Sequence, residues 1–464
     1  MQNLIRQLAE QNKKIAILGL GIENYALIKY LFQLEADHPL GEKHKVKYEI
    51  TICDSRTKKE LDERYNELNK KNILINWQLG NNFNKNLEKF DILFRSPGWP
   101  LSKIKNQKLV PSETEGSKIK NFSNPMQMFF ELCPTKNIIG VTGTKGKGTT
   151  ASLIYKILKT AGKKVWLGGN IGVAPFDFLD KIKTTDWVVL ELSSFQLEDM
   201  TISPRISVIT NFYPEHLAPA DPNNPNFHKT LEEYWQAKSN IFKWQNKKDK
   251  TILNYKLKIL NYKLNINTNT KIIYFKKSEL PSRLIGEHNK ENIAAAIEVA
   301  KIIKIKQNII KKAVANFKGL EHRIELVRKY QGVKYYDDSF ATTPEATIIA
   351  LKSFIAPIVI LLGGADKKAN FQKLAKEIKN KVKFAVLLKG DATLKIKKKL
   401  LQAGFKLKNI KLTDNIKDAV KIAKENSVAG DIVLLSTACA SFGMFKNYKE
   451  RGKLFKNEVK KIGL

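Results

Sequence analysis

The stretch IIGVTGTKGKGTTASLIYKIL, residues 138–158, sets an apolar run, a turn of small residues and a helical pattern one after another. Gly143 and Gly146 stand where the backbone must turn tightly, which glycine permits. Backbone N–H groups released by such a turn, with the amino end of the following helix, make a seat for phosphate oxygens. Gly143, Thr144, Gly146, Lys147, Gly148 and Thr149 form that set, with Lys147 placed to reach terminal phosphates. The spacing departs twice from G-x-x-x-x-G-K-[ST]: Val141 replaces the first glycine, and Gly148 replaces the hydroxyl residue after the lysine. Thr149 then offers a metal-binding hydroxyl one residue late. An ordinary strand-to-helix turn would use the same glycines, so the loop needs partners. Magnesium on a phosphate takes oxygen ligands, and nearby carboxylates or imidazoles complete its shell. Glu191, in WVVLELSSFQLE, and His216, after VITNFYPEH, both close strand-like runs in the same segment. With Lys147 they fit metal-assisted phosphoryl transfer.

A second glycine turn, GLGIEN at 19–24, is the weaker feature. Asn24 stands where a dinucleotide fingerprint has its third glycine, and Asp54 lies too far on to be its acidic residue. NAD is therefore disfavoured.

These turns need elements to hold them. Short β-branched runs alternate with amphipathic stretches along the chain, the pattern of an α/β protein with parallel sheets. KKIAILGLG, YEITICD and FDILFRSPG read as strands of a first segment, with YALIKYLFQL as a helix. A boundary falls near ELCPTKN. VWLGGN, WVVLELSS and ISVITNF are strands of the second segment, and Leu153, Ile154, Ile157 and Leu158 give the helix after the loop an apolar face that ends at Gly162. APADPNNPNFHKT reads as a surface excursion. GEHNKENIAAAIEVAKII has helical spacing. The third segment runs from GLEHRIELV through VKYYDDS, IVILLGG, FAVLLKG and DIVLLSTACAS. Ligands of such sheets bind beyond the carboxyl ends of the strands.

At 464 residues, about three domains is the natural division. No leader-like apolar core opens the chain, and the longest uncharged run, 432–445, is too short to span a bilayer. Cys53, Cys133 and Cys439 are far apart with no metal spacing, as expected for thiols in a reducing cytoplasm. The net charge of +36 comes from 81 Lys and Arg against 45 Asp and Glu. Such an excess can serve nucleic acid, yet here the lysines are spread evenly and no zinc-finger or aromatic-basic strand accompanies them. A compositional bias explains the charge better.

Taken together, several stretches resemble the Mur ligase family. GTKGKGTT is similar to its G-T-N-G-K-[ST]-T loop with one extra glycine, a form also seen in the related folylpolyglutamate synthases. GGNIG, ELSSFQLE, AKSNIF, GEHNKENIAAA, HRIELV, DDSFATTPEAT, LLGGADKKANF and STACASFGMFKNYKERG follow in the family's order. ELSSFQLE and the last two point to the glutamate-adding branch. The resemblance implies three domains: a UDP-binding Rossmann-like domain at 1–135, a central P-loop ATPase with a mostly parallel sheet at 136–319, and a C-terminal Rossmann-like domain at 320–464. It implies ATP-dependent joining of D-glutamate to UDP-N-acetylmuramoyl-L-alanine through an acyl phosphate in peptidoglycan precursor synthesis, by a cytoplasmic monomer with no nucleic-acid or membrane partner.

Residue roles follow by position. The resemblance implies ATP with two magnesium ions, held by Thr149, Glu191, His216 and a carbamylated Lys238. Lys147, His216 and Lys238 are then the catalytic set. Asn292 is placed at the adenine, and Arg323 and Asp338 at the nucleotide. Asp54, Arg56, Ser96 and Gly98 are assigned to the uridine end. Asn170, Ser193, Gln196 and Thr342 fall to the acceptor substrate, and Lys367, Ser441 and Phe442 to the incoming glutamate. Two departures matter. Phe340 replaces the lysine of the family's N-D-S-K-A-T, and NFYPEHLAPA lacks the aspartate two residues beyond the histidine. GTKGK, YPEH and TTPEAT also resemble a subgroup that adds L-glutamate, so the stereochemistry stays open. A folylpolyglutamate synthase would share Gly148 but lacks such an N-terminal domain. A nucleotide-binding regulator without turnover would not need Lys147, Glu191 and His216 together.

Overall fold

Strands rich in Ile, Val and Leu on both faces belong inside parallel sheets covered on both sides, and the computed structural model contains two such sheets and a third that is parallel except at one edge. It describes residues 13–36, 49–70, 75–101, 121–218, 226–259, 264, 266–366 and 369–463. The first sheet is parallel, ordered β3-β2-β1-β4-β5, from β1 (Lys14–Leu18), β2 (Glu49–Asp54), β3 (Ile75–Leu79), β4 (Ile92–Arg95) and β5 (Asn121–Ser123). The second is also parallel, ordered β11-β10-β9-β6-β8-β7, from β6 (Ile138–Thr142), β7 (Val165–Gly169), β8 (Trp187–Glu191), β9 (Ile206–Ile209), β10 (Lys250–Asn254) and β11 (Lys271–Phe275). The third, ordered β12-β13-β17-β14-β15-β16, comprises β12 (Glu325–Tyr330), β13 (Val333–Asp337), β14 (Ile358–Leu362), β15 (Val382–Leu388), β16 (Ile410–Thr413) and β17 (Ile432–Leu435). Its edge strand β12 runs antiparallel to β13. Gln331 and Gly332, with φ of 45° and 76°, form the two-residue turn with left-handed residues that such a hairpin favours.

The chain divides into two compact units, Met1–Ser278 with Glu291–Ala313, and Glu279–Lys290 with Val314–Leu464. The first two sheets share the first unit for a visible reason. One buried apolar cluster runs from Ile17 and Phe94 of the first sheet through Phe129 and Phe176 to Val188 and Leu190 of the second. Beside it, Arg95 is wholly buried at the end of β4. Its guanidinium donates to Glu198 Oε1 (2.6 Å), Asp199 Oδ2 (2.8 Å) and the carbonyls of Trp99 and Phe195 (both 2.9 Å). Removing Arg95 alone would strand two largely buried carboxylates, a loss of about 3 kcal/mol.

The expected surface excursion is corrected in part. Residues 219–225 lie outside the described residues, but Asn226 and His228 are buried. Each has a partner that only the fold supplies. Asn226 Nδ2 donates to the Pro97 carbonyl at 2.7 Å, and the His228 ring stacks on Phe195 at 4.8 Å with its Nε2 2.9 Å from Ser194 Oγ. The three cysteines are free and buried. No helix among the described residues is long and apolar enough to cross a membrane.

Candidate active site

In the second sheet the strand order reverses at β6, which lies between β9 and β8, and open α/β sheets bind ligands at such switch points. The glycine loop starts there. Gly143 has φ 141°, and a Cβ on it would come within 2.0 Å of Thr210 Oγ1. Gly146, at φ 82°, caps the helix Lys147–Thr160, and a Cβ there would meet Asn292 Oδ1 at 2.2 Å. Side chains hold the rest of the loop. Thr144 Oγ1 accepts from Tyr213 N at 3.0 Å and lies 3.2 Å from the Tyr234 hydroxyl, while Lys145 N donates to Asn211 Oδ1 at 2.8 Å. Gly146 opens the helix without a side-chain cap, so the first-turn N–H groups of Gly148 and Thr149 face the loop as anion donors.

Two lysines converge on one carbonyl. Lys147 Nζ donates to Gly143 O and Thr144 O, both at 3.0 Å, and Lys238 Nζ donates to Gly143 O at 2.9 Å. Lys238 projects from the helix Leu231–Lys243, is 1% exposed and sits 4.6 Å above the Tyr234 ring. Burial and the neighbouring Lys147 charge hold its pKa well below the usual lysine value. His216 is beside them, with φ 60° and its ring edge-on to Phe195 and Tyr234. Burial lowers its pKa to about 4, with Lys238, Lys147 and Lys145 adding to the effect and Glu215 opposing it. A neutral imidazole is a competent metal ligand. Glu191 ends β8 opposite Val141 of β6, is buried, and accepts from Asn170 Nδ2 at 2.8 Å. A carboxylate, a neutral imidazole and the part-buried Thr149 hydroxyl are the donor types that suit a hard divalent cation near phosphate.

The first sheet has its own switch point between β1 and β4. Gly19 (φ 84°) ends β1 so close to β4 that a Cβ would lie 2.5 Å from Ser96 Oγ. A cleft of ≈ 550 Å³ opens there, and Arg56, Ser96, Gly98, Asn170 and Gln196 all line it. Asp54 builds it from beneath: it accepts from Leu20 N (2.7 Å), Arg56 N (2.9 Å) and the Arg56 guanidinium (2.8 Å). Burial works against the Asp54 carboxylate, and these bonds outweigh it, keeping its pKa low. Ser193 and Gln196 satisfy one another as a capping box on the helix Ser194–Leu197, and Gln196 also donates to Glu23. Asn292 is placed against Gly146 and Thr150.

In the second unit, Asp338 is buried within the electrostatic reach of Arg323. It accepts from Ile324 N at 3.2 Å and from Ser436 Oγ at 2.8 Å, and burial pushes its pKa up to about 7. Thr342 is part-buried just beyond. The loops after β14 and β17 are tied by a bridge between Ala365 and Ala440, next to buried Ser441 and exposed Phe442. Lys367 lies outside the described residues. Sequence reading missed Arg95, His228 and Tyr234. Ser193 and Gln196 carry the capping-box spacing S-x-x-Q, whereas nothing local marks Arg95, His228 or Tyr234.

Residues 141–280 match the Mur ligase middle domain, and residues 322–439 match the Mur ligase glutamate ligase domain. The chain is 37% identical over 479 residues to a UDP-N-acetylmuramoylalanine–D-glutamate ligase of Clostridium tetani, covering 97% of each chain. It is 38% identical over 484 residues, again 97% of each, to the enzyme of the same name from Acetivibrio thermocellus. Among solved structures, MurF ligase from Thermotoga maritima in complex with ADP shares the fold, with a TM-score of 0.57 at 17% identity over 89% of this chain and 96% of that one. The glycine loop, the ordered strands behind it and this full-length similarity agree: the chain belongs to the Mur ligase family, in its UDP-N-acetylmuramoylalanine–D-glutamate ligase branch.

Proposed function

We propose that this chain joins D-glutamate to UDP-N-acetylmuramoyl-L-alanine, using ATP, in peptidoglycan precursor synthesis. The observation that carries the reading is the convergence of Lys147 and Lys238 on Gly143 O at the mouth of a loop built for phosphate. A carboxylate is a poor electrophile because its oxygen does not leave. Transfer of the γ-phosphoryl group of ATP to the alanyl carboxylate oxygen gives an acyl phosphate and ADP. The glutamate amine then attacks the acyl carbon, the C–O bond breaks, phosphate departs and the amine loses a proton.

The chain's residues serve this by position and charge. Lys147 exchanges its backbone carbonyls for phosphate oxygens. Thr149, Glu191 and His216 are the residues that would hold magnesium, which would supply positive charge to the transferring group. Lys238, whose pKa burial holds well below the usual lysine value, is suited to add carbon dioxide through its amine form, releasing a proton, to become an anionic carbamate. The cleft carrying Arg56, Ser96 and Gly98 takes the uridine end, with Asn170, Ser193 and Gln196 toward the acceptor carboxylate. Arg323 serves the nucleotide phosphates, with Thr342 beside the acceptor and Lys367, Ser441 and Phe442 for glutamate. This reading divides the chain into domains at 1–135, 136–319 and 320–464, and has it act as a cytoplasmic monomer.

Phosphate release from ATP and magnesium with UDP-N-acetylmuramoyl-L-alanine tests the proposal, with the two glutamate enantiomers offered separately. Release with D-glutamate is expected. Release with L-glutamate alone would favour the second reading, which Phe340 in the lysine position motivates. No release with either would overturn the function.

A further inference from the structure

We propose that Phe340 is a positioning residue for the nucleotide phosphates, presenting the Arg323 guanidinium on its ring face; this rests on the ligase reading. Arg323 Cζ lies 3.7 Å from the Phe340 ring centroid, and the ring itself meets Tyr448 edge-on at 5.0 Å. Both partners are anchored. Ser339 Oγ donates to Tyr448 O at 2.8 Å, and Phe340 N donates to His322 O at 3.1 Å.

The backbone around Arg323 is committed to this presentation. His322 and Ile324, on either side of it, have φ of 64° and 47°, the left-handed region that a β-branched residue adopts only under constraint. Asp337 supplies the constraint at His322 Nδ1 (2.6 Å) and Asp338 at Ile324 N (3.2 Å). Left-handed residues flank Arg323 just before β12, and its guanidinium lies over a ring that is 40% exposed. Stacking uses the flat face of a guanidinium and holds its N–H fork in one plane over the ring, and a planar fork is what bidentate phosphate binding uses. A lysine at 340 would repel Arg323 and offer no face. The phenyl ring therefore replaces one point charge with one pre-oriented fork.

The test is steady-state kinetics of the full chain with Phe340→Leu, Phe340→Met, Phe340→Tyr, Arg323→Lys and the Phe340→Leu/Arg323→Lys double variant. The two aliphatic variants are expected to lower kcat/KM for ATP on the order of tenfold, with KM for both other substrates unchanged. Phe340→Tyr should restore most of the loss, and the Leu effect should vanish in the Arg323→Lys background. Aliphatic variants with wild-type ATP kinetics would overturn the inference, as would a Leu effect undiminished without Arg323. A wild-type chain that releases no phosphate would bring down the ligase reading and this inference with it.

Discussion

The glycine loop of the first unit and the Arg323 turn of the second both present a cation, and they do so by opposite means. In the loop, the geometry lies in the backbone. Gly143 and Gly146 take conformations that a side chain would strain and sit where a Cβ would strike Thr210 or Asn292, and Lys147 and Lys238 rest on main-chain carbonyls. In the turn, non-glycine residues hold comparable conformations because side chains far away in sequence restrain them: Asp337 on His322, Asp338 on Ile324, and the Phe340 ring under Arg323. A loop of the first kind can exchange its carbonyl contacts for a ligand without rebuilding anything. A turn of the second kind is rigid before any ligand arrives.

Substitutions can break this contrast. Lys147→Ala should show the largest effect, a fall in kcat of at least about 10³-fold with the thermal midpoint little changed, since the lysine serves charge rather than packing; near-normal turnover would remove the loop from the chemistry. Gly146→Ala comes next. Its Cβ would press on Asn292 Oδ1 from a left-handed position, so about 2–3 kcal/mol of stability should be lost together with ATP binding. Denaturant titration with and without ATP reads both.

Asp338 offers a pH test. Its folded pKa of about 7 lies above its unfolded value near 3.8, so its contribution is complete below the unfolded value and is lost as pH rises through about 7. Stability should therefore fall by on the order of 2–4 kcal/mol from this group between those limits, and Asp338→Asn should flatten that part of the profile. Smallest is Ile324→Gly. Relief of a strained φ should offset the lost packing, leaving stability within about 1 kcal/mol of wild type while ATP kinetics loosen. A large loss of stability would show that Ile324 is not strained.

The same contrast explains what could be read in advance. The loop, its helix, and Glu191 at the end of β8 were legible because glycine spacing and apolar runs are local signals, whereas β9 stops at Ile209 and His216 lies in the loop beyond it. The order of β-runs gave the α/β class, and the antiparallel β12 edge was missed although Gln331-Gly332 carried a hairpin signature. Arg95 could not be foreseen as a buried tie, because Glu198 and Asp199 are its partners only once two sheets have packed. His228 was hidden in a Pro- and Asn-rich stretch whose composition says surface. The stacking of Arg323 on Phe340 was likewise invisible, since seventeen positions separate them and only the hairpin brings them together.

The central claim is that ATP activates the alanyl carboxylate by phosphorylating it. The most direct test uses UDP-N-acetylmuramoyl-L-alanine with both carboxylate oxygens labelled with oxygen-18, turned over with ATP, magnesium and D-glutamate, and mass analysis of the released phosphate. The account predicts one labelled oxygen in each phosphate formed. Amide formation with unlabelled phosphate would contradict it.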